Sequence, residues 1–376
     1  MELSRFLSAL SVGPSSPSDT FAADWAQGPR GARPPRVVAI GGGTGLPAVL
    51  RGLRAAMFND RRSPASWRRD LLTALVTVAD DGGSSGRLRR AYGILAPGDI
   101  RNCLVALAED EPRAALFDFR FDGEDGVAGH SLGNLILAAL SHLESDFPAA
   151  VERAGEILGI RGRVLPATTA NVRLLAELAD GTRVEGESDI TAAQGRIRRV
   201  RLVPGGAAAI PEARRALADA ELVVIGPGSL YTSLIPVLLV HGIAQEIRRS
   251  GARVVLVMNL MTEPGETDGM TAADHVRAIQ SHAPGLPIHD VVLGAPLVSS
   301  SLLRAYAVCG ARPVTADLAA LRALGCRPLV RPLLAPGRKI RHDPNRLAAA
   351  LLGPDVLDRA CDERPGTAVL RARPNL

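Results

Sequence analysis

A short apolar run followed by five small residues constrains the fold of this chain more than any other feature. Residues 37–40 read Val-Val-Ala-Ile, and a segment rich in alanine and leucine starts at Leu46. The run predicts a buried parallel strand, and the later segment predicts a helix whose first turn accommodates Pro47. Helix N-termini attract anions, and small residues let a ligand approach the backbone. We therefore expect a phosphate or diphosphate at Gly41, Gly42, Gly43, Thr44 and Gly45.

Two familiar phosphate-binding loops are excluded by single residues. A Walker A loop places a lysine after its last glycine, whereas Lys339 is the only lysine in this chain. The dinucleotide fingerprint G-x-G-x-x-G requires a glycine where Leu46 stands. The loop is therefore neither a P-loop nor an NAD signature. A tight strand–helix turn without a ligand remains the alternative.

A second glycine-rich loop follows a second apolar run, residues 71–78. The run predicts another buried strand. Two adjacent carboxylates beside glycines can hold Mg²⁺, bind ribose hydroxyl groups or cap the next helix. The position after a second parallel strand favours ligand binding. The candidates are Asp80, Asp81, Gly82, Gly83 and Ser84, with the two aspartates as a possible Mg²⁺ site.

The sequence after Pro97 predicts a turn and a helix over residues 100–108, with Asp99 as its N-cap. Arg101 and Asn102 lie in the first turn, where they could face a ligand or solvent.

A later apolar helix is predicted over residues 135–143, and two polar residues stand at its start. We expect His130 to be a neutral hydrogen-bonding group. Asn134 needs a partner, either from the protein or from a ligand.

Over residues 163–203 the spacing of the apolar residues changes from that of the preceding segments. This pattern predicts an antiparallel region inserted in the parallel α/β chain, which we call the antiparallel excursion. Strand-like runs over 172–178 and 182–188 flank Asp180-Gly181, which is a hairpin signal. Residues 197–203 predict a third strand. The excursion could carry an oligomer contact or shape a cleft.

Further apolar runs over residues 221–226 and 253–258 also end in polar or glycine residues. Loops at the carboxyl ends of parallel strands share one edge, and ligands bind where the strand order reverses. We therefore expect one cleft suited to a nucleotide diphosphate in a doubly wound α/β fold. No catalytic residue can be assigned, so binding is better supported than catalysis. The additional candidates are Gly226, Gly228, Ser229 and Asn259.

Composition excludes several classes of protein. The net charge is +5, but the arginines are scattered and aromatic residues make up only 3%, which argues against nucleic-acid binding. The four cysteines lie far apart and predict neither disulfides nor a zinc site. No apolar run is long enough to cross a membrane, and the start does not resemble a signal peptide. We expect a cytoplasmic protein.

The domain organisation is simple. Residues 1–35 are rich in Ser, Pro, Gly and Ala and predict a disordered extension. One domain is expected over residues 36–352, including strands at 290–293 and 329–333 and a last helix at 346–352. Residues 353–376 form a C-terminal tail.

Five motifs together resemble the bacterial gluconeogenesis factor (YvcK-type) family of the CofD-like superfamily. They begin at Gly41, Asp80, Pro97, Gly226 and Asn259, and the likeness continues to Arg341-His342-Asp343. The resemblance implies a Rossmann-like fold and a UDP-sugar, notably UDP-N-acetylglucosamine, in the cleft. It also implies a role in directing carbon into cell-wall precursors and in cell shape, and a homodimer. A partner enzyme in precursor synthesis is compatible with that role.

The resemblance also suggests roles for individual residues. The turns at 41–45 and 226–229 would hold the diphosphate, and Asp80 or Asp81 would contact ribose or a metal. Asn259 would help to read the uridine or sugar, and Arg341 would neutralise phosphate charge. No cofactor is required for binding, although Mg²⁺ could take part.

The superfamily's named enzymes suggest an alternative function. The 2-phospho-L-lactate transferases are Mg²⁺-assisted enzymes that transfer a phospholactyl-type group to a deazaflavin alcohol. This sequence shares their glycine loop and the aspartate pair, and departs from them after Asp81.

Overall fold

The computed structural model describes residues 34–58, 68–124, 126–295 and 298–357. Most of the predicted N-terminal extension, part of the polar connection before the second strand, and the tail from residue 358 lie outside the described residues.

A seven-stranded parallel sheet forms the centre of the fold, and a three-stranded antiparallel sheet is added to it. The strand order is β10-β9-β8-β7-β1-β2-β3 in the first sheet and β5-β4-β6 in the second. The strands are β1 (Val37–Gly41), β2 (Leu72–Val76), β3 (Arg163–Pro166), β4 (Arg173–Leu178), β5 (Arg183–Glu185), β6 (Ile197–Val203), β7 (Leu222–Ile225), β8 (Arg253–Val257), β9 (Asp290–Gly294) and β10 (Arg327–Arg331).

Helices flank the parallel sheet. In the described part of the chain they are α1 (Gly45–Met57), α2 (Gly83–Tyr92), α3 (Gly98–Leu107), α4 (Glu111–Asp118), α5 (Leu132–Leu143), α6 (Phe147–Leu158), α7 (Glu187–Ala193), α8 (Pro211–Ala218), α9 (Ile235–Leu239), α10 (Ile243–Ser250), α11 (Ala272–His282), α12 (Ser300–Val308), α13 (Leu318–Ala323) and α14 (Pro344–Leu352). A 3₁₀ turn at Arg69–Leu71 precedes β2, and a π-helical turn at Leu230–Leu234 precedes α9.

The central strands are apolar because both of their faces are covered. Every residue of β1, β2, β7 and β8 is buried, as expected for parallel strands packed between helices. The edge strand β10 has only one buried residue. The prediction of a doubly wound α/β sheet is therefore confirmed. None of the described helices is long and apolar enough to cross a membrane.

The strand order reverses between β1 and β7. The chain builds outward from β1 through β2 to β3, and then returns to the other side of β1 and builds from β7 to β10. Strand β1 pairs in parallel with both β2 and β7. The loops after β1 and β7 therefore flank the crevice in which such sheets bind ligands.

The antiparallel excursion differs from its sequence prediction in two places. Arg163–Pro166 pairs in parallel with β2 and belongs to the main sheet, so the antiparallel part starts only at β4. Strand β5 ends at Glu185, and residues 187 and 188 begin α7 instead of continuing the hairpin. The cause is Gly186, whose φ of +103° is open to glycine and breaks the strand. The predicted hairpin and third strand are otherwise confirmed.

Candidate functional site

The glycine turns after β1 and β7 touch each other at the reversal point. A Cβ atom built at Gly45 would lie 2.1 Å from the carbonyl oxygen of Pro227, so only glycine fits there. The N–H group of Gly226 donates to the carbonyl oxygen of Ile40, at 2.9 Å, and ties the two strand ends together. The sequence placed both turns in one cleft, and the structure brings them into direct contact.

The first turn leaves a helix N-terminus uncapped. Gly41 and Gly42 are buried at the end of β1, and the N-cap residue of α1 is Thr44, which is exposed and makes no side-chain hydrogen bond. No acidic residue lies in the first turn of α1. The main-chain N–H groups at the start of this helix are therefore available to an anion.

The second turn, by contrast, is held by side chains of the loop after β8. Asn259 accepts a hydrogen bond from Gly228 N–H and donates one to Gly228 C=O, both at 2.9 Å. Glu266 accepts from the N–H groups of Tyr231 and Thr232, at 2.5 and 3.1 Å, and so caps the π-helical turn. The first turn is therefore better suited to bind an anion than the second, because N–H groups of the second turn already donate to protein side chains.

The two aspartates after β2 have different roles. Both carboxylate oxygens of Asp81 accept main-chain N–H groups at the start of α7, from Glu187 at 3.1 Å and Ser188 at 3.0 Å. Asp81 thus caps a helix, although not the one that follows it in the chain. Asp80 accepts from Gly82 N–H at 2.8 Å, and burial raises its pKa.

Asp99 lies beneath the first glycine turn. It is a buried residue in the first turn of α3 and not the predicted N-cap, since α3 already begins at Gly98. The N–H group of Gly43 donates to its carboxylate. Burial raises the pKa of Asp99 to about 7, and the charge of Asp80 adds to the increase. Asp80 is therefore close enough to Asp99 for its charge to be felt.

Helix α7 crosses above the crevice. Its first residues are bound by Asp81 in the loop after β2, while Gly265 in the loop after β8 lies against Thr191 and Gln194 at its other end, with a built Cβ 3.1 Å from each. Strands β1 and β7 lie between β2 and β8 in the sheet. The excursion therefore shapes the cleft, which was one of the two roles expected for it.

Glu187 on α7 points into this acidic crevice. Its Oε2 atom is buried and has no hydrogen-bond partner among the described residues. Burial raises its pKa to about 9, and the charges of Asp80, Asp99, Asp81 and Glu266 add to the increase.

Glu266, on the β8 side of the crevice, is also shifted. Burial and the neighbouring Glu263 raise its pKa to about 7, against the N–H groups that it accepts. Mutual repulsion between buried carboxylates favours bound protons or a bound cation.

The carboxylates fit a Mg²⁺ ion only in combination with a ligand. No group of three His, Cys, Asp or Glu side chains within the described ranges has the arrangement of a complete metal site. Mg²⁺ typically uses one or two carboxylates together with phosphate oxygens and water. Asp80 and Asp99 could supply these one or two carboxylates. Burial is the main cause of their raised pKa values, with a smaller contribution from neighbouring carboxylates, and a bound cation would favour their charged forms.

A buried polar cluster joins α2 to α5. The hydroxyl group of Ser84 lies 2.8 Å from His130 Nδ1 and accepts from Asn134 Nδ2 at 3.0 Å. Burial lowers the pKa of His130, and the charges of Arg87 and Arg120 act in the same direction, as expected for a hydrogen-bonding histidine. Asn134 Oδ1 is buried without a partner among the described residues.

Arg101 and Asn102 are engaged with the protein. Arg101 pairs with Asp118 at 2.8 Å and donates to the side chain of Asn102. Its Nε is buried and has no described partner.

Arg341 is next in sequence to a residue that contacts the end of β8. It is exposed, and the next residue, His342, contacts the carbonyl oxygen of Met258 at the end of β8, at 3.2 Å. Burial lowers the pKa of His342 to about 4, so this contact involves a neutral ring. The segment thus brings Arg341 towards the edge of the sheet that carries the glycine turns.

Sequence reasoning missed two residues of the crevice. Glu266 lies in a Pro-Gly-Glu-Thr-Asp run, and the sequence alone does not distinguish a buried glutamate from an exposed one there. The sequence around Glu187 does not indicate a site residue, because its position depends on a contact with Asp81, more than a hundred residues earlier in the chain. Ser229, which was a candidate, hydrogen-bonds to Glu263.

Comparison with known proteins gives consistent matches over most of the chain. The family described as 2-phospho-L-lactate transferase CofD matches residues 37–334. The gluconeogenesis factor of Bacillus subtilis is 43% identical over 321 residues, which are 85% of this chain and 97% of that protein. A Nostoc relative, provisionally named a gluconeogenesis factor, is 48% identical over 325 residues, which are 85% of this chain and 68% of that protein.

A solved structure has the same fold. The crystal structure of a Bacillus halodurans protein has a TM-score of 0.78 and 43% sequence identity, and the match covers 84% of this chain and 99% of that one.

Proposed function

Because the chain belongs to the gluconeogenesis-factor (YvcK-type) branch of the CofD-like superfamily, we propose that it binds a UDP-sugar, with UDP-N-acetylglucosamine as the preferred ligand. The observation that carries the proposal is the uncapped N-terminus of α1 at the point where the strand order reverses. An uncapped helix start at a reversal point is a general site for phosphate groups. Helix α7 above it would cover a bound ligand.

The roles of the surrounding residues follow from their positions. The N–H groups at Thr44, Gly45 and Leu46 would bind the diphosphate. Asp80 and Asp99 would hold Mg²⁺, which supplies positive charge to the phosphate oxygens when bound. Asn259 holds the second turn in place, and it would help to read the uridine or sugar. Arg341 would add positive charge next to the phosphate groups.

The biological role that we propose is regulation by ligand binding and not catalysis of a reaction. A cytoplasmic UDP-sugar sensor could direct carbon between gluconeogenesis and cell-wall precursors, in agreement with the name of the Bacillus subtilis relative. Such a regulator would act through a partner enzyme of precursor synthesis and would affect cell shape. A homodimer is proposed on the family resemblance.

A second candidate is a Mg²⁺-dependent transferase of the 2-phospho-L-lactate type. The observation in its favour is the family match over residues 37–334, which carries that description. The acidic crevice would suit a metal-bound nucleotide diphosphate in either case.

The two candidates predict different ligands in a thermal-denaturation experiment. UDP-N-acetylglucosamine at about 100 times its Kd should add about 2.7 kcal/mol to the free energy of unfolding. UDP-glucose and GDP should stabilise the protein less, each being measured with and without Mg²⁺. Stabilisation by GDP alone, dependent on Mg²⁺, would favour the transferase and contradict the regulator.

Arg341→Ala serves as the matched variant in this experiment. Because Arg341 is exposed, its loss should leave the unliganded protein about as stable as the wild type. The variant should bind UDP-N-acetylglucosamine about tenfold more weakly, which corresponds to about 1.4 kcal/mol. An unchanged affinity for UDP-N-acetylglucosamine would show that Arg341 does not contribute to ligand binding.

A further inference from the structure

Arg89 on α2 is a buried cation without a carboxylate partner. Its side chain is about nine-tenths buried, at 9% exposed. It donates to the amide oxygen of Asn171 and to the carbonyl oxygen of Val172, both of which are neutral acceptors. None of the ion pairs among the described residues includes Arg89. Burying an arginine charge is costly unless an anion balances it.

A cavity of about 450 Å³ opens beside this guanidinium group. It lies between α2 and the small antiparallel sheet, and it is lined by Arg89, Arg90, Arg173, Asn171 and the two acidic residues Asp81 and Glu185. The size is typical of pockets that hold small molecules. It differs from the crevice at β1 and β7, since none of the glycines at 41–45 or 226–228 lines it.

The charges around the cavity leave it with an excess of cations. Glu185 pairs with Arg173 at 2.8 Å, and both carboxylate oxygens of Asp81 accept main-chain N–H groups of α7. Arg90 is exposed and has no ion pair among the described residues. Burial lowers the pKa of Arg89 most, the charge of Asp81 raises it, and the charge of Arg173 lowers it again, so Arg89 is attracted by Asp81 and repelled by Arg173. An anion between the two guanidinium groups would relieve that repulsion.

We propose that this cavity is a second ligand site, which binds the phosphate group of a small phosphorylated molecule through Arg89, Arg90 and Arg173. Guanidinium groups bind phosphate in a bidentate manner, and three of them converging on one group is a typical arrangement for its recognition. The site is separate from the nucleotide crevice, so the inference goes beyond the proposed function and does not depend on it. Asp81 is the one residue that lines the cavity and also holds α7 above the crevice.

The test is calorimetric titration of the full-length protein with inorganic phosphate in a low-salt chloride buffer. The double variant Arg90→Gln/Arg173→Gln removes the two exposed cations and leaves the buried Arg89 in place. Its phosphate affinity should fall at least about tenfold. Its UDP-N-acetylglucosamine affinity should equal that of the wild type, because neither residue lies at the crevice.

Arg198→Gln is the matched control. Arg198 is an exposed arginine of the same small sheet, and it pairs with Glu177 as Arg173 pairs with Glu185, but it does not line the cavity. This variant should bind phosphate like the wild type. Phosphate held at the glycine turns would persist in every variant, so only a loss specific to the double variant supports the site. Equal phosphate affinity in all three proteins, or no saturable phosphate binding to the wild type, would overturn the proposal. Loss of UDP-N-acetylglucosamine binding in the double variant would overturn it as well.

Discussion

Replacing Asp99 with asparagine is expected to make the stability of the protein less dependent on pH. Burial raises the pKa of this carboxyl group to about 7 from an ordinary value of 3.8. Between those values the folded protein binds a proton that the unfolded chain releases, so stability is highest at low pH within this window and falls as pH rises to about 7. About three pKa units correspond to at most about 4 kcal/mol.

The measurement is urea denaturation at about pH 5 and about pH 8. The wild type should lose stability between these values, and Asp99→Asn should lose about 2–3 kcal/mol less, since the two pH values span about two of the three pKa units. Asp122→Asn, which changes an exposed aspartate, should behave like the wild type. An unchanged difference between the two pH values in Asp99→Asn would show that Asp99 is not a buried, proton-binding group.

A methyl group at Gly45 is expected to disrupt the contact between the two glycine turns. The Cβ of Gly45→Ala would lie 2.1 Å from Pro227 C=O, and the obstacle is main chain, which cannot rotate away. The turns must move apart, and we expect a loss of about 2–3 kcal/mol in the free energy of unfolding. The affinity for UDP-N-acetylglucosamine should fall at least about 100-fold, because the uncapped N–H groups would leave their place.

Gly205→Ala is the control for this variant. Gly205 is exposed, and a Cβ there would have its nearest neighbour 3.9 Å away. Its stability and its ligand affinity should match those of the wild type. Circular dichroism would first show that Gly45→Ala is folded, so that a loss of affinity reports on the site. Wild-type affinity in a folded Gly45→Ala protein would place the ligand elsewhere.

The parts of the fold that follow from local patterns could be predicted from the sequence. The buried strands β1, β7 and β8 consist largely of apolar runs, and each run is followed within two residues by glycine or a polar residue, so both the type and the ends of these strands can be predicted. The Asp-Gly turn likewise identified the hairpin of β4 and β5. Strand β3 was not recognised as part of the main sheet because it is only four residues long and ends in proline.

The parts of the site that depend on distant contacts could not be predicted. The sequence identifies Asp80 and Asp81 as a pair, but only the fold shows that α7 takes up both oxygens of Asp81 and leaves Asp80 beside Asp99. Similarly, Asn259 was expected to read the ligand, whereas the contact that the structure shows for it is with the Gly228 turn. Which N–H groups remain available is a property of the folded chain.

The most direct test of the central claim is a crystal structure of the protein with UDP-N-acetylglucosamine and Mg²⁺. The account predicts that the diphosphate lies within hydrogen-bonding distance of the main-chain N–H groups of Thr44, Gly45 and Leu46, beneath α7. A diphosphate bound away from the β1 and β7 turns, with those N–H groups facing solvent, would contradict it.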